Sequence, residues 1–205
     1  MPNKRCPRIQ YNEGDCFAFP LEGGGYARGI IARMNGKGKI LAYYFLPRFD
    51  TLEKVVFEND LQAINAFYVG FSGDPGLRYQ SWSVIGRVQP WDRKNWPMPV
   101  FGLVNTLSIN GKEFTTSQFR CYDEKTLQWV KTETVSVELA SKLPRDGSAQ
   151  NGWIESVMSK IITDIENGIC PRSSYYRPLD FMFQVIKELS LSNIFETPEK
   201  QKTFL

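Results

Sequence analysis

The sequence predicts an α+β fold, mainly β: a small antiparallel, partly open β-barrel of SH3-like type, followed by a β-meander and C-terminal amphipathic helices. Three observations predict it. Large side chains alternate at Phe17, Phe19 and Leu21 ahead of a polar and glycine turn, a period of two that places them on one face of a strand. Asn-Gly pairs at 35–36 and 110–111 separate apolar runs, the strongest short-range hairpin signal. Beyond residue 150 the apolar period changes to that of a helix.

The first hairpin is the piece around which the chain is organised. Gly14-Asp15 signals a corner, Cys16 to Leu21 a strand, and Gly23 to Gly25 supply the positive φ of a tight turn. Tyr26 to Arg33 returns as the second strand. Such a pair cannot stand alone in water, so further strands must wrap it. Gly36 and Gly38 could suggest a phosphate cradle, but such loops open a helix, and here a strand follows, Ile40 to Leu46. That strand is apolar throughout, as one buried on both faces is, and Pro47 is expected to end it.

Residues 49–61 read as a loop or helical turn and then a short strand at Lys54 to Phe57. Ala63 to Phe71 reads as a strand, 72–76 as a loop, and Ser83 to Val88 as a short strand. A lead-in strand is possible over residues 9–12. The stretch Gln89 to Gly102 holds Pro90, Pro97 and Pro99, which enforce extended, irregular backbone. Trp91 and Trp96 in so polar a loop must be buried or used. Either they lid one end of the barrel, or Trp91, Asp92, Arg93 and Trp96 form a recognition surface, tryptophan and arginine being the residue types that anchor interfaces.

Leu103 to Ile109, Glu113 to Arg120 and Leu127 to Thr132 make the meander. Val137 to Leu143 reads as one or two helical turns stopped by Pro144, and 145–152 as loop. Ile154, Val157, Met158, Ile161, Ile162 and Ile165 form one face of a helix ended by Asn167-Gly168. A second helix opens near Pro178 with the stripe Leu179, Met182, Phe183, Ile186 and Leu189. The chain thus divides into a β-rich unit over 1–135, a helical extension packed on it over 136–195, and a disordered tail over 196–205.

Charge and composition exclude several function classes. Net charge is +3 with acids and bases interspersed, too little for a dedicated nucleic-acid or membrane-surface binder. No polybasic run, apolar span of membrane length or signal-peptide core occurs, so no membrane and no secretion signal is expected. Histidine is absent, which removes Ser-His-Asp and Cys-His catalysis, most transition-metal sites and the usual base near neutral pH. Cys6, Cys16, Cys121 and Cys170 match no zinc or redox spacing. They read as reduced thiols, with Cys16 and Cys121 as small core residues. No cofactor and no metal is expected.

Gly14, Asp15, Phe17, Ala18, Pro20 and Leu21, then Tyr26 and Gly29 after the glycine turn, resemble the start of the immunity protein 26 family of bacterial polymorphic toxin systems. Trp82 to Gly86, Pro90 to Arg93, and Trp96, Pro97, Pro99 and Phe101 resemble its second block. The likeness spans roughly residues 10–105. Cys16 stands where the family has an aliphatic residue. The resemblance implies a cytoplasmic, non-enzymatic bacterial protein that binds and neutralises a cognate toxin. It implies no contact map. An acidic patch for such a partner could come from Glu13, Asp15 and Glu22, or from Glu53, Glu58 and Asp60. The alternative is a small barrel that binds nucleic acid or peptide, with Tyr43, Tyr44, Tyr68, Trp82, Trp91 and Trp96 as stacking platforms. A carboxylate-based hydrolase ranks last, because no pair of acids stands out.

Overall fold

The computed structural model describes residues 10–149, 153–171, 176 and 179–191. Its first sheet has the order β5-β1-β2-β3-β4-β9, from β1 (Asp15–Pro20), β2 (Tyr26–Met34), β3 (Lys39–Phe49), β4 (Tyr68–Gly73), β5 (Ser83–Arg87) and β9 (Ser148–Ala149). All its pairs are antiparallel except β4 with β9. The second sheet is the meander β6 (Phe101–Ile109), β7 (Lys112–Tyr122) and β8 (Trp129–Thr134). The helices are α1 (Pro75–Arg78), α2 (Val137–Lys142), α3 (Trp153–Glu166) and α4 (Leu179–Leu191). The fold is α+β and mainly β, as expected, and its strands form two open sheets without closing into a barrel.

The opening hairpin forms as expected, with Phe17 facing Gly29 and Phe19 facing Ala27. Phe17, Phe19 and Leu21 share one face with Ile31 and Tyr44, and there Ile154, Met158, Ile161 and Ile162 of α3 cover them together with Trp82. Trp82 stacks on Phe17 at 5.1 Å between ring centroids. The opposite face, with Cys16, Ile30, Leu41, Tyr43 and Phe45, is covered by Trp96, Phe101, Leu127 and the α4 residues Leu179 and Met182. β3 is thus buried on both faces, as its apolar run predicted. α4 also reaches the second sheet, where Phe181, Val185 and Ile186 pack with Phe119 and Cys121. Lys39 fastens the sheets together. Its Nζ donates to the Leu127 carbonyl at 2.9 Å and lies 3.9 Å from the Phe71 ring centroid, and burial lowers its pKa.

Several expectations need correction. Pro47 does not end β3, which runs on to Phe49. The ladder is irregular there, with Tyr26 paired to Phe49 and Arg28 to Phe45, so proline's missing N–H breaks no rung. Residues 55–57 form no strand. Ala63–Asn65 is a 3-10 turn, and the strand begins only at Tyr68; the run from Ala63 is apolar because Ala63 and Ala66 close the core as loop residues. β4 extends to Gly73 and α1 follows at once, where a loop was expected. Within 145–152, expected to be loop, the two residues of β9 pair with Phe71 and Ser72. Residues 10–12 are irregular, and Ile9, Cys6, Pro178, the Leu189 side chain and the tail over 196–205 lie outside the described residues.

Gly102 is where the meander meets α2. A side chain there would begin well inside contact distance of the Ala140 carbonyl oxygen, and the Gly102 N–H donates to Pro144 at 2.8 Å. Gly102→Ala should therefore destabilise the fold by about 1–3 kcal/mol or more, as overpacking against backbone does. Thermal unfolding would show it as a drop in Tm; an unchanged Tm would mean that α2 is loosely held.

Candidate functional site

The proline-rich segment folds into a rigid loop laid over the second face of the first sheet. Trp96 is 2% exposed. Its ring stands edge-on to Tyr43 at 5.4 Å and to Phe45 at 6.1 Å, while the Tyr43 hydroxyl donates to the Pro97 carbonyl at 2.6 Å. Trp91 stacks on the outer side of Trp96 at 5.8 Å, 24° from parallel, and is half-buried. Gly14 lies beneath it with φ +88, and a Cβ there would stand 2.9 Å from the Trp91 ring. The Gly-Asp corner before β1 thus serves twice, turning the chain and seating the indole.

A 3-10 turn at Arg93–Asn95 follows, capped by Asp92, whose side chain accepts from the Lys94 N–H at 2.9 Å. Arg93 grips Glu13 through two hydrogen bonds, Nε to Oε2 at 2.7 Å and Nη2 to Oε1 at 2.8 Å, and that contact raises the arginine's pKa. Glu13 also accepts from the Met34 N–H at 3.2 Å. From below, Arg33 donates through Nη2 to the Arg93 carbonyl at 3.4 Å and pairs with Glu124 at 3.1 Å. Arg33 is 1% exposed. The β-bulge between Ile31 and Arg33 brings it opposite Leu41, on the face that the loop covers.

The wall opposite the loop is held in the same way. Arg28, also buried, donates to the Val56 carbonyl at 2.7 Å and pairs with Glu58 at 2.8 Å. Asn59 then clasps the two walls: its Nδ2 donates to the Gln89 carbonyl at 3.0 Å, and its Oδ1 accepts from the Gln89 N–H at 3.1 Å. Between residues 59–64 and 88–97 lies a cleft of about 650 Å³, with Val88, Ala63, Trp96 and the α4 residue Phe183 among its lining and Asp60 and Lys94 as its charged groups. Ile64, half exposed, belongs to the same lining.

The structure brings together Trp91, Asp92, Arg93, Trp96 and Glu13 in one assembly. Asp15 adjoins it but faces inward, accepting from the Asn12 N–H at 2.6 Å and lying 3.7 Å from Arg87. Glu22 is exposed in the turn at the other end of β1 and does not join them. In the other proposed acidic group, Glu58 is taken by Arg28, while Glu53 and Asp60 are exposed. Tyr43, Tyr44, Tyr68, Trp82 and Trp96 are all buried, so these rings offer no platform for stacked bases. Sequence reasoning missed the cleft, Asn59, the place of Phe183 in that cleft and the two buried arginines. An arginine within a strand carries no signal that it points inward. Among the described residues no three His, Cys, Asp or Glu side chains lie together as a metal site, and no helix is long and apolar enough to cross a membrane.

Two outcomes check this geometry. Trp96→Ala removes a fully packed indole and should destabilise by about 3–5 kcal/mol, whereas Trp91→Ala, half-buried, should lose less; equal losses in chemical denaturation would refute the layered arrangement. Burial raises the Asp15 pKa above its ordinary value of 3.8. Folding therefore takes up a proton in the window just above 3.8, and the stability linked to this group falls as pH rises through it. Asp15→Asn keeps an oxygen for the Asn12 N–H and removes the ionisation, so its stability relative to the native chain should improve from about pH 3.8 upward; an advantage confined to lower pH would contradict the sign.

Comparison with known proteins supports the resemblance read from the motifs. The family model described as Immunity protein 26 matches residues 12–112, which carry the whole opening hairpin, the proline-rich loop and β6. No curated protein and no solved structure matches the chain. Over residues 12–112, just under half of its length, the chain is similar to the Immunity protein 26 family.

Proposed function

We propose that the protein binds a cognate toxin domain by direct protein–protein contact and so neutralises it in the cytoplasm of the cell that makes both. The observation that carries this reading is the match to Immunity protein 26 over the stretch that builds the Trp91–Trp96 loop. The contact surface is the outer side of that loop, Pro90, Trp91, Asp92 and Lys94, together with the cleft beside it. Trp96, Arg93, Glu13 and Asp15 act beneath it as supports. Such an arrangement suits tight inhibition. An amphipathic ring held by stacking loses little conformational entropy on binding, and preorganised aromatic anchors dominate interface energetics.

The protein does no chemistry of its own in this reading. A net charge of +3 makes it a poor imitation of nucleic acid, so a strongly basic nuclease fits less well than a toxin whose surface is itself of mixed charge.

The test is co-purification with the toxin domain encoded beside it. A stable complex and protection of co-expressing cells are expected. Trp91→Ala and Asp92→Ala should each raise Kd about tenfold or more without a matching loss of protection from unfolding. A neighbour that is no toxin, or a complex indifferent to both substitutions, would remove the proposal or its surface respectively.

A further inference from the structure

The outer half of the β6–β7 hairpin projects beyond the core, and residues 105–116 are exposed throughout. At its base the free edge of β6 is occupied by its own chain: the Gly102 N–H donates to the Pro144 carbonyl, and the Asp146 N–H to the Gly102 carbonyl, both at 2.8 Å. Gly102 therefore directs its backbone groups away from β7. Because direction alternates along an antiparallel strand, Val104, Thr106 and Ser108, which face Ser117, Thr115 and Glu113 across the ladder, direct theirs outward as well. Among the described residues no strand lies on that edge beyond Gly102.

We propose that this edge pairs with the same edge of a second copy of the chain, in an antiparallel arrangement centred on Thr106. The open segment is symmetric about that residue. With Thr106 on the two-fold axis, Val104 of one copy exchanges both hydrogen bonds with Ser108 of the other, and Thr106 with Thr106, so every outward backbone group finds a partner. The pairing stops where it must, at occupied Gly102 on one end and at the Asn110-Gly111 turn on the other. Charge is compatible too. Leu103 to Ile109 contains no charged residue, so no like charges meet across the axis, and the strand lacks the lysines and prolines that protect free edges from one another. The joined sheet sets Leu103 opposite Ile109 and Asn105 opposite Leu107. It thereby partly covers Leu107, Ile109 and Phe114, which share one face and are 59%, 54% and 52% exposed. An interface in which one patch meets itself closes as a dimer and does not propagate.

Sedimentation or light scattering of the full chain at up to roughly 100 µM should show a dimer. Thr106→Pro removes an outward N–H and no rung to β7, so it should yield a monomer with an unchanged circular dichroism spectrum. Thr106→Lys and Thr106→Glu should each weaken the dimer about tenfold or more, and mixing the two should restore a heterodimer. A chain that stays monomeric overturns the proposal, as does a dimer that ignores these substitutions or a mixture that fails to recombine. If the variants instead lose only toxin binding, the edge belongs to that partner and self-pairing is refuted.

Discussion

Phe17, Phe19, Ile31 and Tyr44 leave one side of the central sheet, and Cys16, Ile30, Tyr43 and Phe45 leave the other; all are buried. A fully covered side chain of this size is worth about 1.5–3 kcal/mol, so neither side can remain wet. Two covers of different kinds meet that demand. One is regular, the apolar stripe of α3 with Trp82. The other is assembled from the proline-rich loop, the start of the meander and α4. The candidate site lies on the irregular cover because a loop can place side chains outward while its inner residues fill the core.

The two buried arginines of β2 make that loop rigid. Burying a guanidinium is expensive unless its donors are satisfied, and Arg28 and Arg33 are satisfied largely by backbone carbonyls and by glutamates on loops. The same requirement runs in reverse: the loops must stay where the arginines need them. Each wall of the cleft is therefore tied to β2, which is buried along most of its length. The polar clasp between Asn59 and Gln89 then sets the gap between the walls.

Much of this was legible in the sequence. The opening hairpin, the Asn110-Gly111 turn, the helix stripe from Ile154 to Ile165 and the doubly buried β3 follow from period and turn chemistry, which are local. Within the stretch from Phe49 to Phe71, residues 54–57 and 63–67 were misread as strand because their apolar residues serve as loop plugs, and nothing local separates a plug from a strand. Trp91 and Trp96 were recognised as a pair that must be buried or used. Only the layering of one on the other shows that Trp96 is core and Trp91 its outer face. The arginines were illegible, since their inward direction depends on a bulge and on partners up to 91 residues away.

The pairing of β9 with β4 has a consequence for anyone cutting the molecule down. Ser148 and Ala149 lie along the outer margin of Phe71 and Ser72, and α3, just downstream, roofs the face that holds Phe17 and Trp82. A fragment stopped after the meander would carry every motif of the family match yet arrive with a bare strand and an uncovered aromatic floor, the ingredients of an insoluble product. The minimal soluble piece is therefore set by the roof rather than by the motifs.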